Sequence, residues 1–336
     1  MIWYTLMSAE TITGKEKIQG SETESIEYSR GTLDYLHIKA EQVDTSKNPI
    51  VVAPGFTQGI EVLEDFGQSL SDSGHREVFV LDQWASAPRK SRQPKQYANG
   101  NFIGLEEQAE AVASFLEHSH LTDRPIDFVA NSFGCQITAR VAEIAEEQGW
   151  DCFKNDLGSH TIFISPAASN EDENYISLGA RWTKWMAKND PHASMVAKVL
   201  DPGARMLKEG KRNASENPKK TLKEIDALVR SRVDYQRLGK IGLKPFVMAY
   251  ADDDLMPYGT MEQNLENNLE NLSGISMPVD AGAVKARDFE MFKTNTGLQG
   301  KAAKEAWAHH WRRADHGDMQ FHPERTARAI LQILDR

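Results

Sequence analysis

The sequence predicts an α/β protein built on a mostly parallel, doubly wound sheet. Three observations carry that prediction. First, short and almost wholly apolar runs recur at residues 50–53, 78–81, 126–129, 161–164 and 245–249 (IVVA, VFVL, IDFV, TIFI and PFVMA). Strands this apolar are covered on both faces, as strands of a parallel sheet are. Second, segments with helical period lie between them. Third, the chain keeps this strand–helix alternation over most of its length, which is the pattern of a sheet with helices on both faces.

The helices are read from their apolar spacing. Leu105, Ala109, Val112 and Leu116 mark one. Ile137, Val141, Ile144 and Ala145 mark a second, which starts just after Ser132. The last has Pro323 in its first turn and Ala327, Ile330, Leu331 and Leu334 on one face. Ahead of the alternation, ESIEYSR and TLDYLHIKA each carry apolar residues at every second position. Arg30-Gly31 between them suits a turn, so the two read as an antiparallel pair.

One long stretch breaks the alternation. Between Pro166 and Lys244 no buried strand is evident, and Pro191, Pro202 and Pro218 interrupt it. Leu178, Trp182, Trp185 and Met186 fall on one helical face. The reading is a mainly helical lid at residues 166–243, inserted before the strand at 245–249 into a core made of residues 1–165 and 244–336. From Arg181 to Lys240 there are 15 Lys and Arg against 7 Asp and Glu, so the segment is basic while the whole chain carries −10. A basic segment can dock on an acidic body, and it can also attract an anionic substrate. A second stretch, from about Ser273 to Gly300, reads as loop with short pieces of structure.

Totals bound the function. The 336 residues are 40% hydrophobic, enough for a substantial core. Net negative charge argues against general nucleic-acid binding, because phosphates would be repelled. No apolar run approaches the ~20 residues needed to cross a bilayer, so no integral membrane segment is expected. The opening MIWYTLMSAETITGKEK has no basic stretch before its apolar residues, and a secretory signal is not expected. Cys135 and Cys152 are the two cysteines. Two in a chain this long are not a disulfide framework, and free thiols fit a cytoplasmic protein.

The chemistry centres on DFVANSFGC, residues 127–135. Ser132 stands between an apolar strand and an apolar helix, with Ala130 and Gly134 two positions to either side. A nucleophilic serine on a sharp strand-to-helix turn needs small residues at those two positions, and the N–H of Phe133 would face a developing oxyanion at the helix N-terminus. The plainer alternative is a serine that caps the helix. Further along, the strand at 50–53 runs into PGFTQG, a loop able to supply a second oxyanion N–H, most simply from Phe56. The strand at 245–249 runs into YADDDLMP, where Asp252, Asp253 or Asp254 could orient a general base or cap the next helix. ADHGD places His316 in a small polar loop between a strand-like run at 307–312 and the last helix. Nucleophile, acid and histidine in that order, each beyond a strand, match a serine triad.

With PGFTQG, ANSFG, YADDDLMP and DHGD followed by HPERTARAILQIL, the chain resembles the α/β-hydrolase superfamily over roughly residues 24–165 and 244–336. The resemblance implies Ser132 as nucleophile, His316 as general base then acid, and the N–H groups of Phe56 and Phe133 as oxyanion hole. It selects Asp253 as the orienting acid, because that pattern puts the acid four residues before the proline. Ala130 replaces the usual glycine, Cys135 the usual small residue, and Pro54 the histidine that often precedes the oxyanion glycine. The implied reaction is hydrolysis of a carboxylic ester through an acyl-enzyme. A thioesterase, acyltransferase, perhydrolase or C–C bond hydrolase would use the same residues, and a binding protein would leave them idle. The substrate expected is a small acyl compound, hydrophobic where Leu178, Trp182, Trp185 and Met186 line its pocket. No metal site is expected, since the adjacent His309 and His310 would point to opposite faces of a strand. No Gly-rich dinucleotide loop is present, so no cofactor is expected.

Overall fold

In the computed structural model, eight strands form one sheet in the order β1-β2-β4-β3-β5-β6-β7-β8. The structure describes residues 21–28, 31–56, 58–82, 104–167, 174–188, 225–226, 228–250, 253, 255–276, 316, 318–321 and 323–335. The first two strands, β1 (Ser21–Tyr28) and β2 (Gly31–Lys39), are antiparallel, with Tyr28 opposite Gly31 at the turn. Next to β2 lies β4 (Glu77–Leu81), again antiparallel. From there all pairs are parallel, through β3 (Ile50–Ala53), β5 (Asp127–Asn131), β6 (His160–Ile164), β7 (Phe246–Met248) and β8 (Gly274–Ser276). The sheet is therefore mostly parallel, as the apolar runs predict.

Alternation along each central strand divides the core in two. Val51, Ala53, Phe128, Ala130 and Phe163 face one side. Ile50, Val52, Val129, Ile162 and Ile164 face the other. Helices α2 (Leu105–His118) and α3 (Phe133–Gln148) cover the first side through residues such as Phe115, Leu116, Ile137 and Val141. Helix α1 (Ile60–Gly74) covers the second with Leu63, Phe66 and Leu70, beside Ile330 and Leu331 of the C-terminal helix, Pro323–Leu334. Helices on both faces make the sheet doubly wound. Between β6 and β7 the described residues include two helices, α4 (Tyr175–Lys188) and α5 (Tyr235–Lys240). After β7 come α6 (Tyr258–Glu266), α7 (Asp318–Phe321) and the C-terminal helix, α8.

Where loop with short pieces of structure is expected from Ser273 on, Gly274–Ser276 forms one such piece, an eighth strand parallel to β7. Three residues beginning with glycine carry no periodicity, and only pairing with β7 makes them a strand. The rest of that stretch and the run at 307–312 lie outside the described residues.

The two ends of the sheet differ in kind. At the N-terminal ends of the parallel strands, Arg76 and Asp127 form a buried ion pair at 2.6 Å. Asp127 also accepts from Asn48 Nδ2 at 3.1 Å and from the His160 backbone N–H at 3.0 Å. Its bond to the His160 ring raises the pKa of that histidine. The second arm of Arg76 reaches Asp335 just beyond α8 at 2.9 Å. One guanidinium thus joins a central strand to the end of the chain. Arg76→Met is expected to cost about 3 kcal/mol, because it strands a buried carboxylate. A urea denaturation midpoint unchanged from wild type would contradict this.

Candidate active site

At the opposite, C-terminal end of the strands, Ser132 links β5 to α3 with φ 52° and ψ −115°. A non-glycine residue at positive φ is uncommon and costs on the order of 1–3 kcal/mol, so the surroundings must enforce it. They do so through the backbone. Ser132 N–H donates to Ile164 O at 2.9 Å, and Ser132 O accepts from Cys135 N–H at 3.1 Å and Ala167 N–H at 3.3 Å. The residue occupies the N-cap position of α3, yet its hydroxyl makes no capping hydrogen bond. A serine that served only to cap would sit in extended backbone and bond the helix N–H groups.

The small neighbours are required by contact. A Cβ on Gly134 would lie 2.4 Å from Ala53 O and 2.6 Å from Pro54 O. Both are backbone atoms, so nothing can swing aside. Ala130 is fully buried and pairs with Ala53 across β3 and β5. The Ser132 turn and the loop after β3 are therefore pressed together at Gly134. Gly134→Ala is expected to destabilise the protein by roughly 2–3 kcal/mol through overpacking. It should also push the 54–56 loop away from Ser132. A Gly134→Ala protein with wild-type melting temperature would contradict the close approach.

In the loop after β3, Gly55 N–H donates to Gln58 Oε1 at 2.6 Å, and Gln58 N–H donates back to Gly55 O at 3.1 Å. Gly55 N–H is thereby committed within the loop. Phe56, the next residue, is partly buried against the core. Phe133 begins α3, where backbone N–H groups have no intrahelical acceptor.

The acid and the imidazole meet. His316 Nδ1 and Asp253 Oδ2 are 2.9 Å apart, and both residues are buried. The other oxygen, Asp253 Oδ1, accepts the backbone N–H groups of Leu255 at 2.9 Å and Met256 at 2.7 Å. Asp253 is thus held by two backbone donors while it holds the ring. Its acceptor oxygen places the proton on Nδ1, which leaves Nε2 as the ring's acceptor. Two residues on, Asp318 is buried and bonds Arg325, and it accepts from Thr326 Oγ1 at 3.2 Å. Burial raises the Asp318 pKa against these two bonds. The histidine segment is anchored to α8 through that carboxylate. Asp252 and Asp254 lie outside the described residues.

No hydrogen bond joins Ser132 Oγ to the His316 ring in this structure. The order β5-β6-β7 sets the serine and acid strands two spacings apart, about 10 Å. Hydrogen bonds within catalytic sites often tighten only when substrate is bound.

Leu178 is buried in the core on α4. From the same helix, Arg181 Nε donates to Leu255 O at 2.8 Å, which ties α4 to the turn that carries Asp253. The side chains of Trp182, Trp185 and Met186 lie outside the described residues. Cys135, three residues after Ser132, is buried and points its thiol at Ala130 O, 3.2 Å away. Burial pushes that thiol's pKa well up, which disfavours the thiolate. Among the described residues no cluster of three His, Cys, Asp or Glu could hold a metal ion. Sequence reasoning missed Gln58, Asn131, Arg181 and Asp318. Each acts through a partner distant along the chain or several residues away, and spacing carries no sign of such pairs.

No protein-family model and no curated protein matches the chain. Solved structures do. A membrane phospholipase A, described as a bacterial virulence factor, is similar at a TM-score of 0.58 and 17% identity, over 94% of this chain and 86% of that one. Carboxylesterase CesB (YbfK) from Bacillus subtilis is similar at 0.57 and 12%, over 94% and 91%. A bromoperoxidase from Bacillus anthracis is similar at 0.56 and 15%, over 94% and 100%. With the sheet order, the strained serine turn and the late acid and histidine already in place, these likenesses lead to one conclusion: the chain has the α/β-hydrolase fold.

Proposed function

We propose that the chain is a serine hydrolase that cleaves carboxylic esters through an acyl-enzyme. Ser132 is the nucleophile, His316 the general base and then acid, and Asp253 the group that orients the ring. The observation that carries this reading is the pair of features at one sheet edge. One is a buried serine held at positive φ without capping its helix. The other is a buried imidazole bonded to a carboxylate that two backbone N–H groups fix. The similar structures described as a phospholipase A and a carboxylesterase support ester bonds as the target.

The chemistry follows from the placement. Ser132 Oγ attacks the ester carbonyl as its proton passes to His316 Nε2. The carbonyl oxygen becomes an oxyanion, and the N–H groups of Phe56 and Phe133 receive it. As the tetrahedral adduct collapses, the alcohol leaves with the proton from Nε2. Water then repeats the sequence and frees the acid. Asp253 stabilises the imidazolium in each half. The two N–H donors contribute about 3 kcal/mol each to the transition state.

Residues 166–243 are the lid in this reading, and α4 is its closing helix. Support comes from the Arg181 bond to the acid turn and the burial of Leu178. An apolar face of that helix turned toward Ser132 would favour medium-sized hydrophobic acyl groups.

A fluorophosphonate probe tests the assignment. The expected result is one covalent adduct per chain, mapped by mass spectrometry to Ser132. A folded protein that takes no adduct at Ser132 would instead support a binding protein whose triad is idle.

A further inference from the structure

We propose that Gln58 and Asn131 form a clamp that sets the oxyanion loop against the nucleophile turn, which makes Gln58 a positioning residue for catalysis. The inference rests on the reading of Ser132 as nucleophile. Gln58 Oε1 accepts two hydrogen bonds, from Gly55 N–H at 2.6 Å and from Asn131 Nδ2 at 3.1 Å. Donor and acceptor chemistry fixes both amides. Gly55 N–H can only donate, so Gln58 must present its oxygen, and Asn131 must then present its nitrogen. Both side chains are buried, Gln58 at 3% exposure and Asn131 at 0%.

The clamp joins two elements that the mechanism needs in register. Gln58 closes a ring on Gly55, with its side chain on Gly55 N–H and its backbone N–H on Gly55 O. Phe56 is the second residue of that turn, and its N–H takes no part in the closing bond. Asn131 immediately precedes Ser132, so its bond to Gln58 bolts the turn to the nucleophile. Gly55 is where they crowd. A Cβ there would meet Gln58 Oε1 at 2.9 Å, Ser132 Cβ at 3.1 Å and Asn131 Nδ2 at 3.2 Å.

Stability alone does not account for the pair. Asn131 Oδ1 is buried without a hydrogen-bond partner among the described residues. A half-satisfied buried amide carries a desolvation cost that an apolar residue of the same shape would avoid. Departures of this kind from local consistency concentrate at functional sites.

The test uses Gln58→Met, which keeps the length and loses the acceptor, and Asn131→Leu, which keeps the shape and loses the bolt. Steady-state kinetics on a p-nitrophenyl ester are measured beside amide exchange at Gly55. Gln58→Met is expected to lower kcat by about 100-fold, the effect of misplacing one oxyanion donor, with KM within about threefold. Its Gly55 amide should exchange faster. Asn131→Leu is expected to lower kcat selectively too, while Gly55 stays protected, because its ring to Gln58 survives. If Gln58→Met does not fold, Asn131→Leu decides. Wild-type kcat in both folded variants, or loss only in proportion to unfolded protein, would overturn the clamp alone. A wild type with no Ser132-dependent turnover would overturn the site reading and the clamp together.

Discussion

Ser132→Ala is expected to lower kcat for a p-nitrophenyl ester by roughly 10⁵- to 10⁶-fold, the scale on which losing a nucleophilic serine removes covalent catalysis. The variant should fold as wild type does. The backbone of residue 132 holds the turn through bonds to Ile164, Cys135 and Ala167, and none of these uses the hydroxyl. The hydroxyl makes no capping bond whose loss would weaken α3. Activity and stability are thus expected to separate cleanly, as circular dichroism melting beside the kinetics would show. A variant with turnover within tenfold of wild type would mean that another group attacks. Cys135 is not a candidate, since its thiol is buried and points to Ala130 O.

Asp253→Asn is expected to lower kcat by roughly 10⁴-fold, the cost of a wrong imidazole tautomer. The structure says why an amide cannot substitute. Leu255 and Met256 both donate to Oδ1, so an asparagine must keep its oxygen there. Its Nδ2 would then face His316 Nδ1, now 2.9 Å from an acceptor. Nδ1 would have to accept, Nε2 would carry the proton, and the ring could no longer take one from serine. Asp252→Asn and Asp254→Asn are expected to lower turnover far less. Comparable losses in all three variants would contradict the assignment.

Most of the sheet is legible because its strands announce themselves. Runs such as IVVA and TIFI are apolar on both faces, and only a covered sheet satisfies them. The serine turn is legible because a steric demand writes two small residues into the chain at fixed offsets. Choosing Asp253 among three adjacent aspartates needs the resemblance, since all three are equivalent by composition. The eighth strand is not legible, as Gly274–Ser276 owes its state to β7. Nor is the Gln58–Asn131 pair, whose members lie 73 positions apart, or the Arg76–Asp335 link across 259. Side-chain amides and guanidinium groups have no periodicity, so their partners emerge only once the strands are laid side by side.

The central claim is that the Ser132 hydroxyl attacks while His316, held by Asp253, takes its proton. A crystal structure of the protein after reaction with a p-nitrophenyl alkylphosphonate measures this most directly. Phosphorus is expected on Ser132 Oγ, with the phosphonyl oxygen accepting from Phe56 and Phe133 N–H. His316 Nε2 should lie about 3 Å from Oγ. Phosphorus on any other residue, or an adduct at Ser132 with the imidazole turned out of hydrogen-bonding reach, would contradict the account.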